Sequence, residues 1–478
     1  MMIVWMKQLR ITFGASFLWL VCLIYFTQGF RSFVWTAISY QLKYRLKLPS
    51  SASQFVTSIS FVPWSIKPIY GIISDCIPIR GRKRIPYLVI ATMFSLFPWV
   101  ILGSVESVSN SKHQLMIFLL LQNTGSAMAD VVIDAMIAEA ARHEKATFSG
   151  DLQSLSWMTM ALGGICGSLF GGYALNNIQM NNIFLLFSVL PTIQLFSCAF
   201  VADSSISSSQ LPEFSTSNNS IGILDEARLS PQSPPKPGTL MRKRSHKSSK
   251  KISINTSKYP ETEKDESLPS QWFQSFQKAG YTLFKVFQRP IILRPMAWFF
   301  LAQTEVLNLE ASFLGTAYVN GWIGLMFGTF TYNRFLKKVK LRTILMFAHV
   351  TLTQLTLLDL ILVSRLNVSH GISDKVMVLF GSVLSDAVQQ FKFMPFLILS
   401  GQLCPPGIEG TLFALYMSIN NFGSAMSSFV GDTLASFLNI SSGSFDNLSL
   451  GIAIQVVCTL VPLIFLFLIP KDATGISI

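Results

Sequence analysis

Within one apolar run of the chain, Gln122, Ser126, Asp130 and Asp134 recur four residues apart. On a helix that spacing stacks the four side chains on a single face. A later run repeats the device with Ser382, Asp386 and Gln390, and Lys392 lies close by. Carboxylates in such a setting can hold a proton, pair with a cation or accept hydrogen bonds from a polar molecule. Complementary groups stand in earlier runs: Gln28 and Arg31 in the first and Lys67 in the second. Arg31 or Lys67 could meet an anion or neutralise an aspartate, and Gln28 could hydrogen-bond a bound solute. Lys67 precedes Pro68 near a helix end, where a lysine can also snorkel toward the membrane surface. An interhelical role, holding a bundle together by hydrogen bonds and ion pairs, is the competing reading for all of these groups.

The elements that carry these residues are apolar and long. The chain has 478 residues, of which 50% are hydrophobic and 13% charged, with a mean hydropathy of +0.47. A soluble domain would carry about 25% charged residues. Apolar runs are read near 13–35, 54–74, 86–104, 114–138, 150–173 and 182–202, then near 290–302, 313–335, 343–364, 374–400, 408–438 and 448–469. Runs of about 20 residues suffice to cross a hydrocarbon core of about 30 Å. The expectation is an all-α, multi-pass integral membrane protein with lipid as its solvent. Charges inside a span are expensive there, so they face the bundle interior or a cavity.

Between the two sets of six lies a polar stretch rich in Ser, Pro and Lys, including SPQSPPKPGTLMRKRSHKSSKK. That composition does not bury a core, and the stretch is expected to be disordered. The expected organisation is an N-terminal half over 1–202, a basic cytoplasmic linker over 203–285 and a C-terminal half over 286–478. The formal charge of +13 sits in short clusters between apolar runs, as expected of cytoplasmic loops, and does not suggest a nucleic-acid partner. Lys43, Arg45 and Lys47 fall on the opposite side. The six cysteines form no C-x-x-C pair, the five histidines do not cluster, and there is no P-loop, H-E-x-x-H or G-x-S-x-G. Neither metal, cofactor, enzymatic chemistry nor ATP-driven transport is expected.

The halves repeat each other in parallel. Gly125-Ser126-x-x-x-Asp130 matches Gly381-Ser382-x-x-x-Asp386, and Gly150-x-Leu152-x-x-Leu155 with Gly163 and Gly171 matches Gly410-x-Leu412-x-x-Leu415 with Gly423 and Gly431. Parallel six-helix halves are the major facilitator arrangement, with a substrate site near the midplane. Gly71-x-x-x-Asp75, followed by Arg82, Lys83 and Arg84, looks like the loop motif of that superfamily, whose acid and bases could gate the inner face. The counterpart at Gly328 has Tyr332-Asn333 where the acid would stand.

The stretches TQGFRSFVWTAISYQLK, KPIYGIISD, ADVVIDAMIAEAAR, GDLQSLSWMTMALGGICGSLFGGY and CPPGIEGTLFALYMSINNFG resemble the folate–biopterin transporter family of the major facilitator superfamily, above all its plant members. The resemblance covers nearly the whole chain except the linker. It implies uptake or exchange of folates or pterins by a monomeric carrier, coupled to protons through Asp130, Asp134 or Asp386. On that reading Asp130 or Asp134 pairs with the guanidine-like edge of a pterin while Arg31 or Lys67 holds the carboxylates of a folate tail. A carrier of another organic anion, or a membrane scaffold whose basic linker binds partners, are the alternatives. Plant members often carry plastid targeting extensions; none is seen here, so the membrane of residence stays open, the plastid envelope included. One departure stands out. The seventh run, IILRPMAWFFLA, has 12 residues before the sequence turns polar at QTEVLNLEASF. The resemblance implies a longer helix, with roughly 15 residues missing near Ala302 for a full crossing and Glu305 and Glu310 left in the following loop.

Overall fold

A computed structural model of the chain describes residues 2–48, 50–143, 149–201, 268–304, 317–403, 408–440, 447–471 and 473–474. Residues 203–267 of the expected 203–285 linker lie outside the described residues, as do Glu305 and Glu310. In hydrocarbon every backbone polar group needs an internal partner, and helices supply it. The described helices are α1 (Met2–Phe13), α2 (Ala15–Tyr40), α3 (Ser50–Ser65), α4 (Lys67–Cys76), α5 (Ile85–Ser104), α6 (Lys112–His143), α7 (Ser149–Asn177) and α8 (Met180–Ser197). They continue with α9 (Leu268–Phe287), α10 (Pro290–Thr304), α11 (Ala317–Thr331), α12 (Leu341–Val363), α13 (Asp374–Leu403), α14 (Glu409–Phe437) and α15 (Leu448–Ile464). Each expected apolar run falls on one of these helices, the second on the α3–α4 pair.

Seven of the described helices are long and apolar enough to cross a membrane by length and composition alone: α2, α5, α6, α7, α8, α12 and α15. The rest depart from that profile for visible reasons. The second run breaks at Ile66, between Pro63 and Pro68, into helices of 16 and 10 residues. A proline removes a backbone donor and crowds the preceding turn. α13 is 30 residues long but carries Asp386 and Lys392. α10 has only 15 residues, a rise of about 22 Å against the roughly 30 Å core.

The ends of the N-terminal half sort as six crossings require. Leu9, Ile85 and Cys198 share one apolar cluster with Ile79 and Val201 packed against it, which places α1, the α4–α5 loop and the end of α8 together. Leu42, Leu102, Leu115 and Ala174 share another, with Leu46 and Ile178 packed on it, at the opposite end. Of the basic residues at that second end, Arg45 pairs with Glu106. In the C-terminal half the loop before α12 meets the chain terminus: Lys340 bridges to Thr474, and the Arg342 guanidinium donates to the carbonyls of Ile469 (2.6 Å) and Phe467 (3.0 Å).

Small residues bring helices close. An added Cβ at Gly29 would strike the Met160 carbonyl, and one at Gly163 the Phe26 carbonyl, so α2 and α7 meet backbone to backbone. Gly172, farther along α7, meets nothing within 4 Å. The end of the stretch expected to be disordered is instead helical in α9. Its WFQSFQKAGYTLFKVF segment repeats apolar residues at helical spacing and buries Ala279 and Val286.

Candidate functional site

Five of the seven residues singled out for binding or coupling converge in the N-terminal half. The break at Ile66 starts α4 at Lys67, inside the bundle and not at a surface. Lys67 is 2% exposed; its Nζ donates to Asp130 Oδ2 at 2.7 Å. It therefore does not snorkel. One turn along α6, Asp134 accepts a hydrogen bond from the Tyr25 hydroxyl. Arg31 is also buried, and its guanidinium donates to Asn123 Oδ1 at 2.6 Å and to Gln28 Oε1 at 3.1 Å. Gln28 in turn donates to the Ser126 carbonyl at 3.2 Å, and Gln122 donates to the Ser126 hydroxyl at 2.7 Å. Trp64 meets both cations: Arg31 lies 5.1 Å and Lys67 4.7 Å from its ring, and its indole N–H donates to Asn123 Oδ1 at 2.9 Å. A ring face attracts a cation, so Trp64 helps to hold each of them in place.

Sequence reasoning picked out Gln28, Arg31, Lys67, Asp130 and Asp134 but not Tyr25, Trp64 or Asn123. Aromatic residues inside an apolar run read as core, and Asn123 lies next to the recognised stripe without sharing its spacing. The C-terminal pair is elsewhere. Asp386 packs against α11, where an added Cβ at Gly321 would stand 3.1 Å from its Oδ2. Lys392 is buried, and its Nζ donates to the Ala302 carbonyl at 3.2 Å.

Lys392 lines a cavity of about 290 Å³. Its walls come from α10 (Phe299, Ala302, Gln303), α13 (Gln389, Gln390, Lys392, Phe393, Phe396), Asn420 of α14 and Trp157 of α7. The space therefore belongs to both halves. Trp157 also links it to the N-terminal cluster, with its ring edge-on to Phe393 at 4.6 Å and to Tyr25 at 6.4 Å. The side chain that holds Asp134 thus touches the side chain that walls the cavity.

At the end of the bundle marked by the α4–α5 loop, the halves are pinned together. Asp75 Oδ2 accepts hydrogen bonds from the Thr411 backbone N–H (2.7 Å) and hydroxyl (2.6 Å). The carboxylate thereby caps the N-terminus of α14, where the helix dipole favours negative charge. Asp75 Oδ1 lies 2.7 Å from the Arg84 guanidinium, which also reaches Glu139 at 2.5 Å. Burial works against the charge on Arg84, but Asp75 and Glu139 outweigh it and raise its pKa. Gly71 makes the approach possible, because a Cβ there would come within 2.7 Å of the Gly410 and Thr411 backbone. Of the other expected gating residues, Arg82 is exposed and Lys83 half-buried. A second tie inverts the charges: Lys337, just past α11, meets Asp151 in the first turn of α7 at 2.6 Å. This explains how the second loop manages with Tyr332-Asn333 in place of an acid.

Residues 28–477 match the BT1 family. The chain belongs to that family. It is 60% identical, over 492 aligned positions and the full length of both chains, to a protein named probable folate-biopterin transporter 4 from Arabidopsis thaliana. It is 29% identical to the folate-biopterin transporter of Synechocystis sp., covering 94% of this chain and 80% of that one. In fold it resembles the major facilitator superfamily proton:xylose symporter XylE, solved with 6-bromo-6-deoxy-D-glucose, with a TM-score of 0.61, 14% identity and 97% of both chains covered. The BT1 chain thus has the major facilitator fold in a multi-pass membrane protein. The alignment of 492 positions against 478 residues means that the Arabidopsis relative fills positions this chain skips.

Proposed function

We propose that this chain is a secondary carrier of folates and pterins that works as a monomer by alternating access, with Asp130 or Asp134 carrying a coupling proton. The observation that carries this reading is the buried Lys67–Asp130 pair beside Asp134–Tyr25, joined through Trp157 to a cavity between the halves. A proton placed on Asp130 would release Lys67, and one on Asp134 would loosen its bond to Tyr25, whose ring abuts Trp157. Proton uptake and the shape of the cavity wall would then be coupled by direct contact. Opening toward the basic loops requires the Asp75–Thr411 and Lys337–Asp151 ties to part, and both cross between the halves. The names of the relatives supply the substrate class.

Uptake of labelled folate by folate-requiring cells expressing this chain tests the proposal, beside a version whose α10 is lengthened to a full crossing. Uptake by both supports the carrier reading and shows that the short helix is tolerated. Uptake by the lengthened form alone supports the reading and makes α10 the defect. With both proteins confirmed in the membrane, uptake by neither overturns it in favour of another organic anion or a scaffold.

A further inference from the structure

Two polar atoms on side chains that wall the cavity shared by the halves have no hydrogen-bond partner among the described residues, Gln390 Oε1 and Trp157 Nε1. Gln390 is 8% exposed, and its Oε1 has no hydrogen-bond partner among the described residues. A buried acceptor left unmet costs about 1–3 kcal/mol, which a donating ligand returns. Gln303, in contrast, has a partner, since its Nε2 donates to Ser424 at 2.9 Å.

The rest of the lining describes what that ligand would be. Trp157, Phe299, Phe393 and Phe396 supply flat apolar walls, with Phe393 and Phe396 stacked at 6.0 Å. Gln303, Gln389, Gln390 and Asn420 supply four carboxamides, each with donors and an acceptor, beside the Lys392 ammonium. No carboxylate stands among the described lining residues. Aromatic walls with paired donors and acceptors suit a flat, uncharged or weakly anionic heterocycle with an amino-amide edge, and disfavour a cation. The volume of about 290 Å³ is at the lower end of ligand pockets, about 300–1,000 Å³. It seats a fused two-ring head and leaves a long tail outside. In the N-terminal cluster Lys67 is meanwhile paired with Asp130, and Arg31 donates to the amides of Asn123 and Gln28.

We propose that this cavity holds the pterin head of the substrate and that the Gln390 carbonyl oxygen reads the amino group on its edge. The inference rests on the carrier reading for the identity of the ligand, but the site is the cavity and not the Asp130–Asp134 stripe. Head recognition here makes a tail-less pterin as good a ligand as folate.

The test is equilibrium binding to the purified full chain in lipid nanodiscs, with biopterin, folate, p-aminobenzoylglutamate and a hexose as probes. Biopterin and folate are expected to compete for one site, and the tail fragment and the hexose to displace neither. Gln390→Leu is expected to weaken biopterin and folate in parallel by about three- to tenfold, the loss of one neutral hydrogen bond, with Gln390→Asn in between. No biopterin binding, displacement of folate by the tail fragment and not by biopterin, or unchanged affinity in Gln390→Leu would each overturn the assignment. The wild-type competition decides even if Gln390→Leu does not fold. Folate uptake in cells with unchanged biopterin affinity in Gln390→Leu refutes this site and leaves the carrier reading. Biopterin binding through Gln390 without uptake refutes the carrier reading and leaves the site.

Discussion

Breaking the Lys67–Asp130 pair from one side and then from both separates a structural tie from a transport element. At 2.7 Å and an effective dielectric of about 20, the Coulomb attraction is about 6 kcal/mol before desolvation is counted. Desolvation opposes most of it, because Lys67 is 2% and the Asp130 side chain 14% exposed. What remains is an asymmetry: removing one partner strands a buried charge at about 3–5 kcal/mol, while replacing both by apolar residues is close to neutral. Lys67→Met and Asp130→Leu should therefore each lower the apparent Tm in detergent by about 3–5 °C, at about 1 °C per kcal/mol for a chain of 478 residues. The double variant should recover to within about 1 °C of wild type. On the proposed mechanism it should nonetheless carry no folate, because the ion pair that a proton would part is gone. A double variant less stable than either single one would refute the energetic argument. A stable double variant with full uptake would refute the functional one and leave the pair as scaffolding.

The ties between the halves give further outcomes. Asp75→Asn weakens charge-assisted bonds to Thr411 and Arg84 worth about 1.5–3 kcal/mol each, so alkylation of the neighbouring Cys76 by a membrane-permeant maleimide should rise about tenfold or more. Lys337→Glu should repel Asp151 and raise the same labelling, and Lys337→Glu with Asp151→Lys should bring it back, as the 2.6 Å pair requires. Gly71→Val should reach the membrane but not transport, since even a Cβ would lie 2.7 Å from the Gly410 and Thr411 backbone; surface quantification beside folate uptake checks this.

How much was legible in the sequence depends on which residues an apolar run makes conspicuous. Asp130, Asp134, Arg31 and Lys67 stood out because charge is rare inside a span, and the i+4 spacing placed the two aspartates on one face. Tyr25, Trp64 and Trp157 did not, because in such a run an aromatic ring looks like lipid-facing or core packing. The repeat of the halves was legible from Gly and Asp spacing, and with it the fold. The capping of α14 by Asp75 was not, because its partner is a backbone N–H 336 residues away. Nor did the repeat reveal that the second tie runs from Lys337 to an acid on α7 with the charges exchanged. α9 was missed because the Ser- and Lys-rich composition before it was extended across an amphipathic segment with its own helical period. The cavity is a tertiary product of α7, α10, α13 and α14, and only Lys392 and Gln390 of its lining had drawn notice.

The most direct test of the carrier reading is counterflow in proteoliposomes that contain only the purified chain and lipid. Vesicles preloaded with unlabelled folate are diluted into trace labelled folate, so that exchange through one alternating site is the sole route for label. The account predicts transient accumulation of label above the outside concentration, abolished by preloading with buffer alone and reproduced when biopterin replaces folate inside. Label that never exceeds equilibrium in folate-loaded vesicles, with the protein folded and inserted, would contradict it.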